Sequence, residues 1–268
     1  MADVTPDNWN LGDAYERYMG RWSRLIADRF LEWLAAPPSS HWLELGCGTG
    51  ALSAAICETQ NPASLIACDP SQPFIEYARA RIDPTQRECS FHVLSTPELP
   101  HRAGGFDLAI SGLVLNFLPD PLATLLALRN RTRDGGQIAA YVWDYRGGIE
   151  FLHHFWQIAC MLDPGAARLD ESRRFANWRE DNLTSLFVDV GLTHVRSELL
   201  TIGTDFPHFD DFWQPFLGGV GPAPAYAMSL SPTQRETLRA ELHERLLPDS
   251  NGHIRLAARA IAVRGQLT

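Results

Sequence analysis

Over the first 145 residues the chain alternates short apolar runs with longer one-sided stretches. His41–Leu45, Ser64–Cys68, Ser90–Leu94, Phe106–Ser111 and Gln137–Val142 have the length of strands, bounded by Gly, Pro, Asp or Ser. Between them, residues 51–60, 71–82 and 121–132 space apolar side chains as helices do. Ser95 to Gly105 carries two Pro and two Gly and reads as a loop. Residues 13–35 mix aromatic, basic and apolar groups at helical spacing and stop at Pro37-Pro38. Strand–helix alternation of this kind predicts a parallel sheet covered on both faces.

Beyond strand five the pattern changes. An aromatic-rich helix is expected over 149–163 and another over 179–190, closed by Gly191, with a sixth strand over Thr193–Thr201. The last strand signal, Ile254–Val263, lies far downstream, and 204–250 is rich in Pro, Gly and aromatics. We therefore expect an N-terminal helical lid (1–36), a sheet domain (37–203 and 251–268) and a cap insertion (204–250).

Composition narrows the chemistry. The chain has 268 residues, 45% of them hydrophobic, and a formal charge of −9. No basic stripe tracks a phosphate backbone, so nucleic acid is not expected as a partner. All 23 basic side chains are arginine, which excludes Schiff-base chemistry. Cys47, Cys57, Cys68, Cys89 and Cys160 form no C-x-x-C pair, so free thiols and a cytoplasmic location are expected. The polar N-terminus does not read as a leader, no run approaches a membrane span, and no metal-ligand spacing is present. A monomer or homodimer is expected.

The most informative segment is Leu43-Glu-Leu-Gly-Cys-Gly-Thr-Gly50. A strand delivers Glu44 into a turn with Gly46, Gly48 and Gly50, and a helix follows whose free N–H groups aim at the same place. The dinucleotide fingerprint is G-x-G-x-x-G; here the third glycine comes one residue early. A carboxylate beside the loop repels phosphate and suits a cation. Strand two ends Asp69-Pro70-Ser71, about twenty residues past the glycines, where an acid can hold both ribose hydroxyls or cap the next helix.

The octet resembles motif I of the class I S-adenosylmethionine-dependent methyltransferases, small-molecule type. That resemblance implies a seven-stranded, mostly parallel, doubly wound α/β sheet with an antiparallel last strand. It also implies S-adenosyl-L-methionine as cofactor, held by Glu44, Gly46, Cys47, Gly48, Gly50, Asp69 and Pro70. Ser95 and Thr96 stand where the family often carries an acid against adenine, and with Ser111 at the end of strand four they are candidates for cofactor binding; Asn116, in the following segment that faces the methyl group, is a candidate for the acceptor pocket. In small-molecule members the N-terminal helix covers the cofactor, which nominates Tyr18 and Arg21 for binding and Tyr15 for the acceptor pocket. The N/D-P-P-Y signature of enzymes acting on nucleic-acid bases is absent.

On the acceptor side, Asp144, His153 and His154 are the candidate catalytic groups, and Trp143, Trp156, Trp213 and Phe216 candidate pocket walls. The reaction expected is in-line methyl transfer to a small apolar or aromatic molecule, at oxygen before nitrogen. Two alternatives stand beside it: an NAD(P)-dependent oxidoreductase, and a non-catalytic adenosylmethionine-binding protein.

Overall fold

A computed structural model describes residues 15–82 and 88–268. Residues 1–14, including most of the expected N-terminal lid before its helix, lie outside the described residues. The sheet has seven strands in the order β3-β2-β1-β4-β5-β7-β6. These are β1 (His41–Leu45), β2 (Ser64–Asp69), β3 (Cys89–Val93), β4 (Phe106–Gly112), β5 (Thr132–Trp143), β6 (Thr193–Phe206) and β7 (Ile254–Gln266). Pairing from β3 through β5 is parallel, and β7 pairs antiparallel to β5.

The outward strand order reverses at β1, so the C-terminal ends of β1 and β4 open a crevice of the kind where doubly wound sheets bind ligands. Helices Ala51–Thr59, Gln72–Arg81 and Pro121–Arg129 lie where periodicity puts them. Pro121 occupies the first turn of the last of these, and Asp120 Oδ1 caps it by accepting from the Ala123 N–H at 2.8 Å.

The chain divides into two compact units, residues 23–143, 177–200 and 260–268, and residues 1–22, 144–176 and 201–259. The first holds a core of strand and helix side chains, among them Leu43, Leu45, Phe106, Leu125, Ile138 and Phe187. In it the helix Glu180–Asp189 buries Leu183 and Phe187.

The second unit is built around aromatics. Phe155 and Phe216 stack with centroids 4.5 Å apart, Tyr18 meets Phe216 edge-on at 5.6 Å, and Phe206 meets Phe212 at 5.3 Å. The helix Glu150–Leu162 supplies Phe151, Phe155 and Trp156 to it. This division differs from the expected 204–250 cap, because the segment after β5 packs with the cap helices. The strand β6 also runs five residues past its expected end, with Leu200, Ile202, Thr204 and Phe206 buried in alternation.

Cysteine chemistry is a correction. Cys57 and Cys89 form a disulfide with a Cα–Cα distance of 7.1 Å, joining the helix Ala51–Thr59 to β3; Cys47, Cys68 and Cys160 are free. The two partners are 32 residues apart and meet because β2 and its flanking segments fold back between them. No local spacing signals that meeting, and the inference of a reducing compartment loses its basis.

Candidate functional site

The loop after β1 is held from behind. The Gly46 and Cys47 N–H groups both donate to the Cys68 carbonyl, at 2.7 and 3.0 Å, and the Gly50 N–H donates to the Cys47 carbonyl at 2.9 Å. All three glycines have positive φ, at 74°, 53° and 82°. A Cβ on Gly46 would lie 2.5 Å from Val114 Cγ2, and one on Gly50 would lie 2.9 Å from Ala78 Cβ. A Cβ on Gly48 would meet nothing within 4 Å. The outer glycines thus admit neighbours, while the middle one presents bare backbone to an open volume.

Two acids frame that backbone. Asp69 Oδ2 accepts from the Gly48 N–H at 3.0 Å and Oδ1 from the Ser71 N–H at 2.8 Å. One carboxylate therefore ties the loop to the turn that leads into the helix Gln72–Arg81, and each oxygen keeps a free lone pair. Burial raises its pKa, against the pull of those two bonds. Glu44 is 1% exposed and accepts the Ser53 hydroxyl at 2.5 Å, tying β1 to the helix that follows the loop. Burial pushes its carboxyl up to about 7; the Ser53 bond opposes this and the nearby Asp69 charge adds to it.

The remaining nominated residues of this unit divide by what they touch. Ser111 is fully buried and donates to the Leu45 carbonyl at 3.1 Å, a bond between strands. Ser95 forms a capping box with Glu98, which opens a short turn over Thr96–Glu98. Cys47 is buried and its thiol pushed well up, chiefly by burial, while Pro70 is exposed. Trp143 is buried in β5 opposite Ala260. Asn116 differs from all of these: it is buried, and neither its Nδ2 nor its Oδ1 has a hydrogen-bond partner. Such an amide costs free energy unless a ligand satisfies it. Leu113, just upstream, holds a φ of 62°, a strained position that the sequence did not reveal.

In the other unit several nominated groups are committed elsewhere. Asp144 accepts two bonds from Arg259, at 3.0 and 2.6 Å, and one from the Arg146 N–H at 3.1 Å. An ion-paired turn of this kind is no free base. His153 Nε2 lies 2.8 Å from Gln157 Nε2, and His154 Nδ1 takes a 3.5 Å contact from Arg245. Burial, then Arg245 and His153, lowers the His154 pKa. Arg21 pairs with Asp211 at 2.9 Å and lies over the Trp22 and Phe206 rings, so its charge is already answered. Tyr18, Trp213 and Phe216 are buried in the aromatic core, and Tyr15 is half-buried.

Trp156 and His153 line a cavity of about 220 Å³ together with Tyr145 and Glu171. Glu171 escaped the sequence reading because it stands in a four-residue helix, Glu171–Arg174, with no motif around it.

Comparison with known proteins agrees with this geometry. Residues 43–138 match the family model described as a methyltransferase domain. The ubiquinone biosynthesis O-methyltransferase of Aromatoleum aromaticum is 29% identical over 40% of this chain and 47% of its own length. The trans-aconitate 2-methyltransferase of Deinococcus radiodurans is 30% identical over 39% of this chain and 38% of its own. The chain thus spans less than half the length of these relatives. Phosphoethanolamine N-methyltransferase 2 of Haemonchus contortus, solved with phosphomonomethylethanolamine and S-adenosylhomocysteine, superposes with a TM-score of 0.54 at 11% identity. That match covers 96% of this chain and 57% of the other, and it speaks to fold alone.

Proposed function

We propose that this chain, whose residues 43–138 are a methyltransferase domain of the class I, S-adenosylmethionine-dependent kind, moves a methyl group from S-adenosylmethionine to a small molecule. The observation that carries the reading is the open volume at Gly48, bounded by Asp69. Bare backbone and a carboxylate suit an adenosyl group that brings ribose hydroxyls and a positive charge, and no phosphate needs to be held there.

When bound, S-adenosylmethionine supplies a methyl group already activated on a sulfonium. The protein's share is alignment and exclusion of water. Asp69 keeps lone pairs for hydroxyl donors, and Gly48 lets a ligand approach the main chain. Glu44 offers negative charge once ionised. The orphan amide of Asn116 has one donor end and one acceptor end for a polar atom of donor or acceptor. Asp144, His153 and His154 are occupied by Arg259, Gln157 and Arg245, so we assign none of them as a free base. A hydroxyl acceptor on this reading arrives ionised or loses its proton to solvent. Oxygen is the acceptor atom we favour, the ubiquinone biosynthesis O-methyltransferase of Aromatoleum aromaticum being a relative that methylates at oxygen.

Calorimetric titration of the purified chain with S-adenosylmethionine, S-adenosylhomocysteine, NADH and NADPH tests this. Uptake of the first two alone supports the reading. Uptake of a nicotinamide with neither adenosyl compound would replace it with the oxidoreductase, and adenosyl binding without turnover on any acceptor would leave a binder.

A further inference from the structure

The cavity of about 220 Å³ in the second unit has a composition of its own. One wall is Trp156, on the helix Glu150–Leu162, and another is Tyr145, whose ring packs on Phe175 at 4.8 Å. Glu171 is 4% exposed and accepts the Trp156 indole N–H. Asp170 caps the short helix by accepting from the Ser172 N–H at 2.8 Å, and it too lines the space. Among the described residues that line it, one guanidinium is present, that of Arg173. Two carboxyl groups and two large aromatic side chains therefore share the wall with one guanidinium.

We propose that this cavity binds a small ligand carrying a protonated amine, with Glu171 as counter-ion and the Trp156 and Tyr145 rings as walls. Roughly 150 Å³ suffices for benzene in a dry cavity, so the space admits one ring with a short aminoalkyl arm. Carboxylates attract an ammonium and repel an anion, and aromatic faces add attraction for a cation. A neutral molecule of the same shape gains neither.

The protonation of Glu171 agrees. Burial pushes its carboxyl up to about 8; the charge of Asp170 adds to this, while the Trp156 bond and Arg174 oppose it. Tyr18, whose hydroxyl is buried without a partner, interacts with both Glu171 and Tyr145, and burial raises its pKa well above the usual value. His153, Cys160 and Arg173 are the other titratable groups on the wall. Empty, the site holds Glu171 neutral at neutral pH; an ammonium ligand ionises it and expels its proton. An acid whose only task was to anchor Trp156 would have no such response.

The inference goes beyond methyl transfer and does not rest on it, since the test omits any methyl donor. The full-length chain is titrated with benzylamine, benzyl alcohol and benzoate near pH 7, in buffers of differing ionisation enthalpy, with the Trp156 indole N–H followed by NMR. Benzylamine is expected to bind at least about tenfold more tightly than the other two, to shift the indole resonance and to release close to one proton. The preference should vanish in Glu171→Gln. No uptake of benzylamine, equal uptake of the alcohol or benzoate, binding without proton release, or a folded Glu171→Gln with unchanged preference would each overturn it. Proton release is read on the unaltered chain, so the proposal is decided even if the variant does not fold.

Discussion

Replacing Glu44 with Gln separates its charge from its packing. The amide keeps the side chain's size and can still accept from Ser53, as the carboxylate does at 2.5 Å. In the empty protein burial holds the Glu44 carboxyl at about 7. A cationic donor that needs the ionised form then binds in competition with a proton, and its apparent affinity is divided by one plus the proton excess. From about pH 5.5 to 7.5 that factor falls from roughly 33 to 1.3, so affinity should rise about 25-fold. The sign for stability is opposite. With an ordinary value of 4.5 and a folded value of about 7, the fold keeps a proton that the unfolded chain gives up. Stability of the empty chain is therefore full below the lower value and declines as pH rises to the upper one, by about 3 kcal/mol. Calorimetry with S-adenosylmethionine and urea melts without it, across that range, measure both slopes. Glu44→Gln should flatten each. A wild-type affinity that stays level, or a variant with the same slope, would show that Glu44 braces β1 against the helix and does not sense the ligand's charge.

Gly46→Ala should cost about 2–5 kcal/mol in urea melts, since its Cβ would sit 2.5 Å from Val114 at a φ of 74°; Val114→Ala in the same chain should restore only the steric part. Reducing the Cys57–Cys89 bond, or replacing both residues with Ala, should lower stability by about 3–4 kcal/mol for a separation of 32 residues, read as a drop in the urea midpoint against the oxidised chain. Asp144→Asn should lower stability by about 1–3 kcal/mol through the lost Arg259 pairing and leave the pH profile of any methyl transfer unmoved.

The sheet was legible because strand length, turn residues and helical spacing agree from His41 to Trp143. The boundaries that moved did so for tertiary reasons. The strand β6 continues to Phe206 because its alternate residues find burial, which periodicity over 193–201 does not disclose. The glycine loop and Asp69 were readable since each lies within one local motif. Glu44 was legible as an acid at the end of a strand, but its burial and its bond to Ser53 depend on how a helix packs on that strand. Asp144 and Arg21 looked available because their partners, Arg259 and Asp211, are far away in the sequence. Glu171 and the Cys57–Cys89 pair carried no signal for the same reason: long-range proximity leaves no trace in local spacing.

The unequal surroundings of the three glycines have a practical consequence. Val114 and Ala78 act as backstops, each filling the space where a side chain on Gly46 or Gly50 would go, and neither stands before the vacant side at Gly48. Trimming or enlarging either backstop would alter how stiffly the turn is held while the surface offered to an incoming molecule stays chemically the same. Affinity in this scaffold can thus be tuned from the rear of the loop.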